Sequence, residues 1–298
     1  MNLSIVLPAY AEPFLNNTIR SILDNTSDTT EIVPVIDGYE PESLIEDERV
    51  RPVIFKHNRG MRKAINVGVL ASRGKYVMKM DSHCAVCGGF DKIVEDMQKN
   101  WLMVPRRKSL NEETWGVDKR RIVRDYHYFN FPQKLYYGYY MGPASYRGPK
   151  DHKKILIDDT MTFQGSCWLA DREYFLENIL PLDDREEAYG NFYHEHGEIG
   201  LKYWLKGGAV KINKKYWYAH LSKRKHHYKA GLFARRYKKN KHSPHAHAYL
   251  IKHWLDNEEQ GLKHEFSWLV EKFWPLSGWP EDWQEKWEAM RKDVECLL

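Results

Sequence analysis

Asp81, Ser82 and His83 follow Tyr76 to Met80, an apolar run with the length of a buried strand. A carboxylate and an imidazole two residues apart in extended backbone can point the same way, so one divalent cation can take both as ligands. Such a cation neutralises concentrated negative charge and makes a diphosphate a better leaving group. Alone the triplet is a weak signal, because a strand-end aspartate also serves as a helix cap. Beside it Cys84 and Cys87 stand two residues apart, but no second such pair follows. Zinc binding is therefore not expected, and both read as free, half-buried thiols.

A second feature lies downstream. Of 46 lysines and arginines, ten fall between Leu221 and Leu255, where no acid occurs, so the rest of the chain is net acidic against 41 Asp and Glu. Tyr228, Phe233, Tyr237 and Tyr249 interleave with these bases. Charge for a phosphate backbone and rings for unstacked bases would suit a nucleic acid; a solvated surface is the plainer alternative. His242, His245 and His247 in the same stretch read as solvated.

The elements that must position these residues show in the apolar periodicity. Leu3 to Leu7, Glu31 to Ile36, Val53 to Phe55 and Tyr76 to Met80 read as strands, the last three after turns or helices. Phe14 to Leu23 and Met61 to Ala71 have helical spacing, and Ile93, Val94, Met97 and Trp101 predict another helix. This alternation implies an α/β fold, a mostly parallel sheet flanked by helices, with ligands at the carboxyl ends of its strands. Pro8, Asp37 and Asp81 all sit at such ends and should meet in one crevice. Residues 105–154, rich in Arg, Lys, Gly, Pro and Tyr, read as long loops. Regular pattern resumes at Thr162 to Ala170, Glu198 to Lys206 and Val210 to Ile212, and helical spacing returns around Phe266, Leu269, Val270 and Phe273. The organisation expected is a catalytic domain over 1–221, nucleotide-binding in 1–100 and acceptor-binding in 101–221, with a basic, Trp-rich helical extension over 222–298.

The four cysteines (Cys84, Cys87, Cys167, Cys296) are too few and scattered for a disulfide scaffold. The amino terminus carries no basic, apolar leader, and no run approaches a membrane span. A soluble, cytoplasmic protein is expected.

Several segments, taken in order, resemble family 2 glycosyltransferases: IVLPAYAE from Ile5, VIDG from Val35, NRGMRKAINVGVLASRGKYVMKMDSHC from Asn58, and EHGEIGLKYW from Glu195. The likeness runs from about Leu3 to His220. DSHC, FQGSCWLADREYF and EHGEIGLKYWLKGGAVKINKKYWYAH are most similar to the polypeptide N-acetylgalactosaminyltransferase catalytic domain. The resemblance implies a GT-A fold, a UDP-sugar donor and Mn2+ or Mg2+ held by Asp81, His83 and His220. It places Pro8, Ala9, Tyr10 and Glu12 on the wall of the nucleotide pocket, Asp37 on the uracil or ribose, and Arg62 and Lys63 near the nucleotide. Asn66 would brace the fold, and Glu195 would bond a sugar hydroxyl. Inverting relatives carry Glu-Asp where this chain has Glu195-His196, with Glu198 following. Either His196 acts as base or the leaving phosphate takes the proton with retention, and the second is favoured.

The build is also similar to transferases encoded by bacteriophages, some of which glycosylate hydroxymethylated pyrimidines in DNA. That acceptor is expected first, contacted by Trp168, Arg235, Arg236, Lys238 and Lys239. A surface-glycan, lipid-linked or protein acceptor is the alternative. A non-catalytic nucleic-acid-binding protein on the same scaffold is the competing class.

Overall fold

A computed structural model describes residues 1–135, 138–146, 148, 151–222 and 244–295. In chain order the elements are β1 (Leu3–Ala9), α1 (Leu15–Asn25), β2 (Thr30–Asp37), β3 (Val53–Phe55), α2 (Met61–Ala71), β4 (Tyr76–Met80) and β5 (Cys84–Val86). There follow β6 (Trp101–Asn111), β7 (Gly116–Val117), β8 (Tyr126–Phe129), β9 (Gln133–Leu135), β10 (Gly138–Tyr140), β11 (Pro143–Tyr146), β12 (Ile157–Asp159) and β13 (Cys167–Asp171). The chain continues with α3 (Arg172–Asn178), α4 (Glu195–Leu205), β14 (Ala209–His220), α5 (Pro244–Leu255), α6 (Phe266–Phe273) and α7 (Trp283–Glu295).

The main sheet has the strand order β12-β14-β6-β13-β4-β1-β2-β3. β3, β2, β1 and β4 run parallel, β13 runs against both β4 and β6, and β14 lies parallel to β6. Six of these strands therefore share one direction, with β13 and β12 opposed. Alternation along β1 explains how both faces are covered. Leu3, Ile5 and Leu7 pack with α1, whereas Val6 faces α2. At Gly68 of α2, a Cβ would stand 2.3 Å from Val6 Cγ1, so only glycine lets helix and strand approach this closely.

Two expectations need correction. Trp101 does not belong to a helix: a short 3-10 helix ends at Asp96, Met97 is extended, and Trp101 begins β6. Nor is 105–154 mainly loop. β6 continues to Asn111, and β8 with β11 and β9 with β10 form two antiparallel pairs. Pro105 and the bases after it hid the strand, because β6 is half-exposed from Arg106 on and carries no apolar alternation there. β14 likewise runs far beyond Ile212, following β6 across a register shift between Asn213 and Trp217.

The carboxyl-terminal helices share the main core. Trp254, Phe266, Leu269, Trp279, Trp283, Trp287 and Met290 belong to one apolar cluster with Val6, Phe129 and Trp168. Trp279 Nε1 donates to Phe129 O at 2.7 Å, fastening this extension to β8. No helix of the described residues is long and apolar enough to cross a membrane.

Candidate metal centre and its surroundings

Three strand ends bring the centre together. Asp81 N donates to Ser166 O at 2.9 Å, tying the end of β4 to the approach to β13. Ser82 Oγ donates to Pro8 O at 2.6 Å, tying the next residue to β1. β5 then pairs with the end of β14 so that Cys84 lies opposite His220, and Leu221 N donates to His83 O at 3.1 Å. His83 and His220 are left side by side beneath Asp81. Their Nε2 atoms stand 3.1 Å apart, and Asp81 Oδ2 lies 3.1 Å from that of His220 and 3.8 Å from that of His83. Ligand atoms of the three residues all lie within 4.8 Å of one another, the one such group of three among the described residues.

The surrounding charges decide what state these groups hold. Lys79, 1% exposed, sits with Nζ 2.9 Å from Asp81 Oδ1 and 3.1 Å from Glu195 Oε2. Burial pulls the Lys79 pKa down, but the two carboxylates outweigh it, so the ammonium stays charged. Burial pushes Asp81 up, yet Lys79, a hydrogen bond from His220 and the nearby His83 hold it well below the usual carboxylate range. Burial lowers His220 to about 4 against the pull of Asp81. At neutral pH the centre thus offers a carboxylate anion and a neutral imidazole, the forms that bind metal. Glu12 Oε2, 3.2 Å from His83 Nδ1, selects the tautomer that leaves the His83 Nε2 lone pair facing the centre. Arg107 Nη2 lies 3.1 Å from His220 Nδ1 on the far side of that ring.

Glu195 stands at the edge of this group. Burial raises its pKa despite the Lys79 charge and the Trp168 bond. Trp168 Nε1 donates to Glu195 Oε1 at 2.6 Å, and its ring stacks on Phe175 with centroids 4.8 Å apart. Trp168 is wholly buried. The expected acceptor contact is therefore corrected: this indole cannot reach an acceptor and instead holds Glu195.

The other expected residues divide. Pro8 and Ala9 lie at the end of β1, Tyr10 meets Tyr39 edge-on at 6.3 Å, and Glu12 turns to His83. Asp37 is buried and accepts from Asn58 Nδ2, Arg59 N and Gly60 N at 2.8, 2.6 and 2.9 Å, holding the loop that follows β3. Gly38 beside it has φ +73, and a Cβ there would meet Asn58 N at 2.0 Å. Asn66 grips Leu182 through both its backbone N and O. Lys63 is on the outer face of α2, 3.9 Å from Asp184.

Arg62 and Glu198 are corrected together. Arg62 is fully buried, paired with Glu198 and donating to Tyr193 O and Asp183 O, with its guanidinium 4.4 Å above the Tyr189 ring. Glu198 also takes Lys202 Nζ at 2.7 Å and Asp183 N at 3.1 Å. Its oxygens are committed, so neither residue is available to nucleotide or reacting atoms. His196 Nε2 is buried without a partner, and burial, with His127 and Arg62 nearby, lowers its pKa to about 3. A ring that reluctant to take a proton is a poor general base at neutral pH. His247, read as solvated, is instead buried with Nδ1 2.6 Å from His194 Nε2. Arg235, Arg236, Lys238, Lys239 and His242 lie outside the described residues, with most of the basic stretch. Cys84, Cys87 and Cys167 are free thiols, Cys84 fully buried; Cys296 lies outside the described residues. Lys79 and Arg107 were missed. A lysine inside the apolar run before Asp81 was the available signal for the first.

A family model described as glycosyl transferase family 2 matches residues 4–178. The uncharacterized glycosyltransferase EpsJ of Bacillus subtilis is 34% identical over 108 residues, covering 33% of this chain and 31% of that protein. Human polypeptide N-acetylgalactosaminyltransferase 13 is 24% identical over 229 residues, 71% of this chain and 40% of the relative. A crystal structure of GalNAc-T7 with UDP, GalNAc and Mn2+ superposes with a TM-score of 0.65 at 17% identity, covering 99% of this chain and 55% of that one. The last likeness shows a shared GT-A-type α/β fold. The chain spans only about a third of the length of the first curated relatives it matches.

Proposed function

Because this chain belongs to glycosyltransferase family 2, we propose that it transfers a sugar from a UDP-sugar to an acceptor hydroxyl, with Mn2+ or Mg2+ held by Asp81, His83 and His220. The observation that carries this reading is the convergence of those three side chains at the carboxyl ends of β4 and β14. The donor set, one anionic oxygen and two imidazole nitrogens, fits Mn2+ better than a purely oxygen-seeking ion. The cation would neutralise the diphosphate and ease its departure. His83 is already turned for ligation by Glu12. His220 now meets Arg107 at Nδ1, and a guanidinium only donates, so its proton sits on Nε2. To hold a cation through Nε2, His220 would carry its proton on Nδ1 instead, and Arg107 would no longer donate there.

The rest of the machinery belongs to the chain itself. Pro8, Ala9, Tyr10 and Asp37 line the nucleotide side. Glu195, fixed by Lys79 and Trp168, faces the transferred sugar. The buried His196, with its pKa near 3, supports the route in which the leaving phosphate rather than a side chain accepts the acceptor proton, with retention. A likeness to GalNAc-T7 bound to UDP, GalNAc and Mn2+ supports donor and metal. A hydroxymethylated pyrimidine in DNA is the acceptor we favour on the basic stretch from Leu221 to Leu255, with a cytoplasmic site of action.

Purified protein with Mn2+ should bind UDP by calorimetry and slowly hydrolyse a UDP-sugar. Absence of both across a panel of sugar nucleotides would overturn the assignment. Transfer to hydroxymethylcytosine DNA but not plain DNA tests the acceptor.

A further inference from the structure

Beside the metal centre, β6, β14, the approach to β8 and the Thr160–Gln164 segment enclose a narrow crevice. Its volume is about 10 Å³, room for one water-sized group. Arg107, Arg124, Asp125 and His127 supply the charged and titratable part of its lining beside Thr160, Gln164 and Tyr218, and no residue of β1, β2 or α2 reaches it. Charge in the lining is not balanced. Asp125 is spent on Arg106, which grips it through two bonds of 2.8 and 2.7 Å. Arg107 Nε is buried with no hydrogen-bond partner. Arg124, exposed at the mouth, makes no ion pair among the described residues. Two arginines thus face a crevice too small for a sugar ring, one with an orphaned buried donor, and Arg107 also touches the metal-facing His220.

We propose that this crevice takes one oxygen of an anionic group, phosphate or carboxylate, carried by the acceptor, with the rest of the group held at the mouth by Arg124, and so selects acidic acceptors. The proposal rests on the transferase reading for the word acceptor, but the anion site stands on its own geometry. Unpaired buried guanidinium N–H groups are costly, and an oxyanion satisfies them with charge-assisted bonds. The donor's diphosphate would approach the centre from the side of Pro8 and Asp37, where the lining contributes nothing. An anion in the crevice would place the acceptor within a few ångströms of His220, on the opposite flank.

Inorganic phosphate is the probe, added to protein saturated with UDP and Mn2+ so that the donor's own phosphate site is filled. Phosphorus NMR reads its binding and, through Mn2+ relaxation, its closeness to the centre. We expect strong relaxation of phosphate in the wild type and at least tenfold weaker binding in Arg124→Gln, with UDP affinity unchanged. Phosphate that fails to bind the UDP-filled protein, or binds Arg124→Gln equally well, overturns the proposal. If UDP does not bind while phosphate binding still depends on Arg124, the transferase reading falls and the anion site remains.

Discussion

One turn of α4 carries two buried glutamates with opposite fates. Glu195 joins Lys79, Asp81 and the two histidines, a cluster that keeps an opening: the Asp81 side chain is 25% exposed. Glu198 joins Arg62 and Lys202 in a cluster closed on every side, with backbone carbonyls taking the remaining donors. Both clusters hold buried cations against carboxylates. Only the first leaves lone pairs facing a gap. Burial and charge alone therefore do not mark a site; spare coordinating capacity does.

That contrast can be broken by experiment. Asp81→Ala should lower Mn2+-dependent hydrolysis of a UDP-sugar by at least about 10³-fold, about 4 kcal/mol of barrier, and isothermal titration should show Mn2+ binding lost. A residual rate within tenfold of wild type would remove the distinction. Arg62→Ala leaves the buried Glu198 with Lys202 alone and strips Tyr193 O and Asp183 O of their donor, and should cost about 3 kcal/mol of stability. Calorimetry should then show a fall in Tm, while Mn2+ affinity measured below the transition stays as in wild type. Lys79→Met also leaves two carboxylates facing each other, for a loss of similar order, but here a divalent ion can replace the missing charge. Mn2+ should raise the Tm of Lys79→Met by more than it raises that of wild type, and should do nothing extra for Arg62→Ala. Equal increments in both variants would mean that the two clusters differ in appearance only.

The smallest effect per group is in pH. His127 and His220 titrate near 4 and His196 near 3 in the folded chain, against about 6.5 when unfolded. Between those values the unfolded chain binds more protons, so stability falls as pH drops from 6.5 towards 4. The slope is up to about 1.4 kcal/mol per pH unit for each ring. Urea melts at pH 7, 5.5 and 4.5 would check it, and a flat profile would show that these rings reach water.

The parallel half was legible because its strands are continuous apolar runs ending in Pro8, Asp37 and Asp81. The same topology puts those ends on one edge of the sheet, where Ser82 reaches Pro8 O. The antiparallel half was not legible beyond its motifs. β6 is half-exposed from Arg106 to Ser109, and β14 shifts register over Lys214 to Trp217, so neither stretch shows a hydrophobic period. Arg62 and Glu198 lie 136 residues apart, and nothing local tells which of two neighbouring glutamates will meet a buried arginine. Trp168 read as an acceptor contact because tryptophan serves in cores and in binding sites alike; only packing against Phe175 decides between them.

The bond from Trp279 to Phe129 has a bearing on biosynthesis. β8, whose approach carries one wall of the crevice, is held from outside by Trp279, which a ribosome adds about 150 residues later. The parallel strands can assemble as they emerge, but that wall must wait. A translation product halted before Trp279 would carry Asp81, His83 and His220 and still lack a firm second side to its cleft.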